Sequence, residues 1–219
     1  MIHSILGNKS ISLTFVISLH SLYMSSIHHF YLSVRKPIEL KLRAELPASC
    51  FYHSADHTLD VLEKTEIVGH AQGLSEDEIS VVSIAALFHD VGFVVDRKNH
   101  EIESCKIFRD YSIGYELDFD VMQQIERCIM ATKIPQSPAN LIEQVICDAD
   151  LDYLGRDDFG TISDLLFQEL MACGEIESKN QWNEIQVRFL SKHVYHTEYS
   201  KNMRTQHLLL NLENVKSQI

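Results

Sequence analysis

A histidine and an aspartate stand side by side at the end of an apolar segment, in residues 87–92 with the sequence LFHDVG. The run before them, residues 79–88, is apolar enough to form a buried helix. Burying His89 and Asp90 without partners would cost several kcal/mol, so both require a partner. A neutral imidazole and a carboxylate are common ligands of first-row metal ions. We therefore expect a metal site at this helix end, where Gly92 would form a left-handed cap.

Two other parts of the chain offer further ligands, also at predicted helix ends. His53 and His57 are four residues apart, on one side of a helix that starts near residue 54 or 56. The cluster 148–152, DADLD, follows another apolar helix, and the helical phase does not choose between Asp148 and Asp150. Two imidazoles and two carboxylates would leave a six-coordinate ion with positions open for water or substrate oxygens.

Helical periodicity and helix caps organise the chain that must position these residues. No stretch alternates with period two for long, and no Asn-Gly or Asp-Gly hairpin signal is present. Ser75 and Glu78 form a predicted capping box at the start of the core helix, Asn99 is the expected N-cap of the next helix, and Pro138 is expected to open the helix before the acidic cluster. The predicted helices span 27–46, 54–71, 75–89, 100 onward, 121–132, 138–149, 158–173, 178–195 and 198–215, which makes the fold class all-α, a helical bundle.

Composition and charge restrict the possible partners. The chain has 219 residues, of which 45% are hydrophobic and 23% charged, as in an ordinary globular domain. The net charge of −12 argues against a nucleic acid polymer, whose backbone requires a basic surface. It leaves room for a small phosphorylated substrate, because a bound metal and a few basic side chains can reverse the local field. A homo-oligomer is compatible with these numbers.

Five scattered cysteines without a CxxC motif predict reduced thiols in a cytoplasmic protein. Four of them lie within apolar patterns and are expected in the core, namely Cys105, Cys128, Cys147 and Cys173.

The N-terminal region is unlike the rest of the chain. We therefore divide the chain into a poorly specified N-terminal extension, 1–30, and a domain, 31–219. The apolar stretch of the extension, 11–22, is short for a membrane span and is interrupted by polar residues, so we expect no membrane partner. The extension also lacks a signal-peptide cleavage site, and we regard Met24 as a plausible start.

Three motifs taken together resemble the HD-domain metal-dependent phosphohydrolase superfamily. They are Tyr52-His53-x-x-x-His57-x-x-x-Val61, the pair His89-Asp90, and Ala149-Asp150-Leu151. The resemblance covers most of residues 35–215. It implies an HD-type helical domain with one divalent metal ion (Mn, Fe, Co, Ni, Zn or Mg). The implied ligands are His57, His89, Asp90 and Asp150.

The resemblance also implies a reaction, the hydrolysis of a phosphoester or phosphoanhydride in a small nucleotide or other phosphorylated metabolite. Asp90 or Asp150 would take a proton from water, and His53 or His100 would protonate the departing oxygen. His53 matches the general acid of some members that cleave cyclic nucleotides. The phosphate would be held by basic side chains, for which the candidates are Arg97, Lys98 and Lys133.

Two other functions stay open at this point. Members with two metals use further histidines; His100 could be one, but a later position near Thr132 and Lys133 offers a hydroxyl and an amine. The alternatives are therefore a di-iron oxygenase of the HD type and a non-catalytic metal- or nucleotide-binding module. Several polar residues also have structural interpretations: His193 as a hydrogen-bonded core histidine, and Asp148 and Asp152 as solvated acids after a helix.

Overall fold

The computed structural model describes residues 25–219, and the part of the N-terminal extension before residue 25 lies outside the described residues. Nine α-helices and no strands occur in the described range, which confirms the all-α class. The helices are α1 (Ser26–Glu45), α2 (Ala55–Ala71), α3 (Glu76–Phe88), α4 (His100–Ser112), α5 (Phe119–Ala131), α6 (Leu141–Asp150), α7 (Phe159–Ala172), α8 (Lys179–Leu190) and α9 (Glu198–Lys216).

The other helices of the larger core are arranged around the central helix α3. Every residue from Ile79 to Phe88 is buried, so this helix has no solvent-facing side and must be surrounded by others. Its first turn carries the predicted capping box, in which the Ser75 side chain accepts from Glu78 N and the Glu78 carboxylate accepts from Ser75 N. Helices α1, α2, α5 and α6 pack around it and form the larger hydrophobic core.

A second, smaller core lies beside the first. It joins α7, α8 and α9 to the short 3₁₀ turn Asp152–Gly155, and Tyr52 from the loop before α2 completes it. None of the helices within residues 25–219 has the length and apolarity that crossing a membrane would require. The ends of α2, α3 and α6 meet where the two cores adjoin, and this meeting point is the location of the site.

Several predicted boundaries differ from the observed ones for local reasons. α6 is opened by Asn140, whose side chain accepts from Glu143 N, so Pro138 precedes the helix. The cap at Asn99 is correctly placed, but its side chain donates to Asp96 Oδ2 and makes no cap hydrogen bond. α8 ends at Leu190, five residues before the predicted end at 195.

Two predictions about buried residues need correction. Cys173 is exposed just after α7, whereas Cys105, Cys128 and Cys147 are buried as predicted. His193 follows the end of α8 and stacks on Phe189, but its Nε2 is buried without a hydrogen-bond partner in the described chain. It is therefore not the hydrogen-bonded core histidine predicted from sequence, and burial lowers its pKa to about 4.

Candidate metal centre

Three helix ends bring the predicted ligands together. His57 lies in the first turn of α2, His89 caps the C-terminus of α3 with Asp90 directly after it, and Asp150 is the last residue of α6. The Nε2 atoms of His57 and His89 and a carboxylate oxygen of Asp90 all lie within 4.8 Å of one another. These three residues are the group within the described chain that could hold a metal ion.

The fourth predicted ligand faces the same point. Asp150 Oδ1 lies 3.3 Å from His57 Nε2 and 3.6 Å from His89 Nε2. On the other side, Asp90 Oδ2 lies 3.4 Å from His57 Nε2 and 3.0 Å from His89 Nε2. Two imidazole nitrogens and two carboxylate oxygens thus surround one small volume.

The lack of hydrogen-bond partners for three of these atoms fits the binding of a metal ion. His57 Nε2, His89 Nε2 and Asp90 Oδ2 are buried, and none has a hydrogen-bond partner within residues 25–219. Leaving such atoms unpaired costs about 1–3 kcal/mol each, so a bound cation would remove a real penalty. The His89 ring is already oriented, because its Nδ1 lies 2.8 Å from Ala86 O and donates there, which leaves the Nε2 lone pair facing the centre.

The electrostatics of the centre favour positive charge. Burial works against the ionised form of Asp90, but the facing imidazole of His89 outweighs it and holds the pKa of Asp90 below its usual range. Burial likewise opposes ionisation of Asp150, yet His57 and His89 lower its pKa to about 2. The two carboxylates in turn raise the pKa of His89 against the effect of burial. A proton or a divalent cation can supply the charge that this arrangement attracts.

The turn after α3 explains how two consecutive residues reach one centre. Asp90 leaves the helix with φ −107° and ψ 0°, and a short 3₁₀ turn, Val91–Val94, follows. Ser104 of α4 stabilises this turn, since its Oγ donates to His89 O and accepts from Gly92 N. The predicted left-handed conformation of Gly92 is wrong, because its φ is not positive. Glycine is needed there for space: a Cβ atom would lie 2.0 Å from His100 O.

The neighbouring acids of the 148–152 cluster point elsewhere. Asp148 is fully buried and accepts from His196 N, Thr197 N and Thr197 Oγ1 at 2.7–2.8 Å, so it caps the start of α9. Asp152 is also buried and accepts from Arg204 Nε at 2.7 Å. Neither is a solvated acid, and of the two open choices it is Asp150 that faces the imidazoles.

His53 has a buried acidic partner that the sequence analysis missed. Its Nδ1 lies 2.5 Å from Glu169 Oε1, and the same carboxylate accepts from the backbone N–H groups of Tyr52 and His53. Burial of Glu169 is outweighed by His53 and by the guanidinium of Arg97, which together lower the pKa of Glu169 to about 2. The one available signal was an acidic residue on the stripe of α7 that also carries Ile162 and Leu166.

Arg97 is turned away from the cavity. Its guanidinium donates to Glu169 Oε1 and to Glu175 Oε1 and lies 5.5 Å from the ring centre of Phe93. The Phe93 ring stacks on His53, with centroids 4.2 Å apart, and packs at a tilt against His100, with centroids 4.1 Å apart. Arg97 therefore supports the partner of His53, a position different from the phosphate contact predicted for it.

A cavity of about 540 Å³ opens from the centre. Its polar end is lined by Asp90 and Asp150 together with His53, Lys98, His100 and Lys133. His100 Nε2 lies 3.6 Å from both Asp90 Oδ1 and Glu101 Oε1. Glu101, which was not among the predicted site residues, is buried, and its Oε2 lies 3.9 Å from Lys133 Nζ. Five of the predicted catalytic and substrate-binding residues thus border one space, and Arg97 is the exception.

Comparison with known proteins agrees with this geometry. Residues 54–152 match the model of the HD domain family, and this segment includes all four candidate ligands. The fold is similar to that of the Lin1889 protein from Listeria innocua, with a TM-score of 0.61 and 16% sequence identity over 89% of this chain and 95% of the other. No curated protein matches the chain. The chain therefore carries an HD domain over residues 54–152.

Proposed function

We propose that this protein hydrolyses a phosphoester or phosphoanhydride bond in a small phosphorylated metabolite, with one divalent metal ion as cofactor. The observation that carries the proposal is the convergence of two imidazoles and two carboxylates at the polar end of a cavity, with three of their ligand atoms buried and unpaired. Carboxylate and imidazole ligands with open positions are typical of metal ions that act as Lewis acids.

The residues His57, His89, Asp90 and Asp150 would hold the ion. When bound, a divalent cation polarises a phosphoryl oxygen and eases the deprotonation of water. Asp90 and Asp150 are the carboxylates close enough to this point to accept the proton of the attacking water. The low pKa values of Asp90 and Asp150 keep both carboxylates ionised over the neutral pH range, as ligands of a cation must be.

Two histidines could return a proton to the departing oxygen. His53 is favoured, because its Nδ1–H donates to Glu169 and the Nε2–H of the protonated imidazolium can then be given to the departing oxygen. The carboxylate of Glu169 also stabilises the charged imidazolium. His100, whose Nδ1 bonds to Arg97 O at 3.0 Å, is the second candidate and lies nearer to Asp90.

Lysines at the same end would hold the phosphate. Lys98 is exposed, lines the cavity and forms no ion pair with the described residues. Lys133 lines the same cavity, near Glu101. Point charges on flexible stems suit a phosphate that must bind and leave, and they supply local positive charge in a chain whose net charge is −12.

Metal analysis of the purified protein and a panel of cyclic nucleotides, nucleoside phosphates and aryl phosphates, each with and without chelator, test the proposal. We expect metal-dependent turnover in the wild type. The His89→Ala variant should lose its metal and at least about a thousandfold in kcat/KM, because the ion supplies several kcal/mol of transition-state stabilisation. His70→Ala, on the exposed side of α2, is the matched control and should behave like wild type.

Turnover by metal-free His89→Ala protein would overturn the proposal. A protein that binds metal but hydrolyses no member of the panel would instead favour the non-catalytic module. A low-temperature spectrum of coupled iron would favour the di-iron oxygenase.

A further inference from the structure

The cavity that opens from the metal centre continues into a second part with different chemistry. We call this part the apolar arm. It lies between the second 3₁₀ turn and helices α7 and α8, and its wall is formed by Leu154, Phe159, Leu166, Trp182, Ile185 and Phe189. Leu166, Ile185 and Phe189 are only partly buried although they line this interior space, so apolar surface is left facing the cavity.

The polar atoms that Gln186 and Trp182 bring to the arm are already engaged within the protein. Gln186 accepts from Ser163 Oγ at 2.5 Å and donates to Asn183 Oδ1 at 3.3 Å. The indole of Trp182 donates to the same Ser163 Oγ at 3.3 Å. A sugar or a base placed in the arm would meet mostly hydrocarbon, and its own polar groups would lose water without gaining partners.

The opposite end of the cavity presents the reverse pattern. There the wall carries the metal ligands Asp90 and Asp150 and the free ammonium of Lys98. At about 540 Å³ the whole cavity is far larger than a metal ion and a phosphate need, and it lies within the range of roughly 300–1,000 Å³ for sites that take a complete small molecule. A ligand that fills both ends must be charged at one end and apolar at the other.

We infer that the substrate is an amphiphilic phosphate, in which an alkyl or aryl group next to the phosphate occupies the apolar arm. This inference rests on the proposed function, because the phosphate must lie at the metal centre for its apolar group to reach the arm. It narrows the substrate class from phosphorylated metabolites in general to those that carry a hydrocarbon substituent, and it disfavours nucleotides.

Binding of non-hydrolysable alkylphosphonates tests the inference without requiring turnover. The series runs from methyl- to hexylphosphonate, titrated calorimetrically into the protein in buffer containing Mn²⁺. Each buried methylene should tighten Kd by about three- to fourfold, for at least about a hundredfold in total. Trp182 is the single tryptophan of the chain and lines the arm, so its emission should shift with hexyl- but not with methylphosphonate.

A matched pair of variants on α7 locates the effect. Leu166→Gln places a polar group in the arm and should weaken hexylphosphonate at least about tenfold while leaving methylphosphonate unchanged. Leu165→Gln makes the same change at the adjacent exposed leucine, which does not line the cavity, and should leave the whole series unchanged. Unchanged methylphosphonate binding also shows that the Leu166→Gln protein is folded.

The corresponding phosphate esters separate this inference from the proposed function. Affinity that rises with chain length, without hydrolysis of any ester, would support the apolar arm and refute the hydrolase. Hydrolysis that does not depend on chain length, or that favours adenosine monophosphate over hexyl phosphate, would leave the hydrolase standing and overturn the inference. Equal affinities across the phosphonate series, or no binding at all, would overturn it as well.

Discussion

At the scale of single residues, two aspartates of α6 have different roles because their side chains point in different directions. Asp148 and Asp150 are two positions apart, so they point about 200° apart around the helix. Asp148 accepts three hydrogen bonds from the start of α9, and Asp150 faces the imidazoles of the metal centre. The same side chain is therefore a structural cap in one position and a candidate ligand in the other.

This difference predicts opposite effects of two alanine variants. At a Mn²⁺ concentration of about 100 Kd, binding should stabilise the wild type by about 2.7 kcal/mol and raise Tm by roughly 5–10 °C. Asp150→Ala should lose most of this rise. Asp148→Ala should keep it but unfold at lower temperature throughout, because three buried hydrogen bonds are lost at a total cost of about 3 kcal/mol. Thermal melts followed by circular dichroism, with Mn²⁺ or with chelator, measure both effects.

The reverse outcome would contradict the assignment: loss of the Mn²⁺ effect in Asp148→Ala and its retention in Asp150→Ala. His70→Ala again serves as the control, since its side chain is exposed and takes no part in the centre.

At the scale of elements, the approach of α4 to the turn after α3 is what holds the His-Asp pair in place. The turn at Gly92 and the backbone of His100 touch so closely that no side chain fits between them. Ser104 joins the two by its hydrogen bonds to Gly92 N and His89 O. Because His89, Asp90 and His100 all belong to this contact, the packing of two elements sets the geometry of one end of the cavity.

Substituting Gly92 with alanine should therefore disturb both stability and metal binding. The new Cβ would overlap His100 O, and such overpacking typically costs about 1–3 kcal/mol. We expect a lower urea midpoint and a weaker Mn²⁺ affinity, measured by calorimetric titration. Gly160→Ala in the first turn of α7 is the matched control: nothing lies within 4 Å of its new Cβ, and the change should be neutral or slightly stabilising. Equal behaviour of the two variants would contradict this account.

At the scale of the whole molecule, Glu169 joins the two cores. This carboxylate reaches from α7 to the backbone and side chain of His53, 116 positions away in sequence, and to Arg97 after α3. A buried acid with these partners is held ionised, with its pKa lowered from 4.5 to about 2. The site therefore depends on the smaller core being correctly placed against the larger one.

The depressed pKa of Glu169 predicts a particular pH dependence of stability. Because the folded pKa lies below the unfolded one, its contribution is fully present above about pH 4.5 and is lost as the pH falls towards 2. The contribution is on the order of 3 kcal/mol. Urea unfolding between pH 3 and 7 should show that Glu169→Gln is destabilised most at neutral pH and that the difference narrows in acid. Glu116→Gln, at an exposed loop position, should show no such difference.

A constant difference between wild type and Glu169→Gln at every pH would show that Glu169 acts only through packing. The catalytic consequence has a separate readout, because loss of the partner of His53 should change the pH profile of kcat more than KM if His53 donates the proton.

Local sequence features determined the helices and the identity of most candidate ligands. Apolar periodicity, the capping box at Ser75 and the absence of strand patterns predicted the all-α fold, because helix formation and capping depend on residues only three or four positions apart. The same local patterns marked His57, and the pair His89-Asp90, as polar residues at the ends of core helices.

Tertiary structure alone decided what these local patterns left open. The orientation of Asp150 rather than Asp148 towards the imidazoles and the ion pair of Arg97 with Glu169 depend on contacts between residues more than 40 positions apart. The apolar wall between α7 and α8 depends on how these two helices pack against each other. Such contacts depend on how complete helices pack, because rotating a helix about its axis by part of a turn brings a different side chain to the same place. The spacing of residues within one helix does not determine that rotation. For this reason the sequence predicted the candidate ligands but not the hydrogen-bond partners of the residues around them.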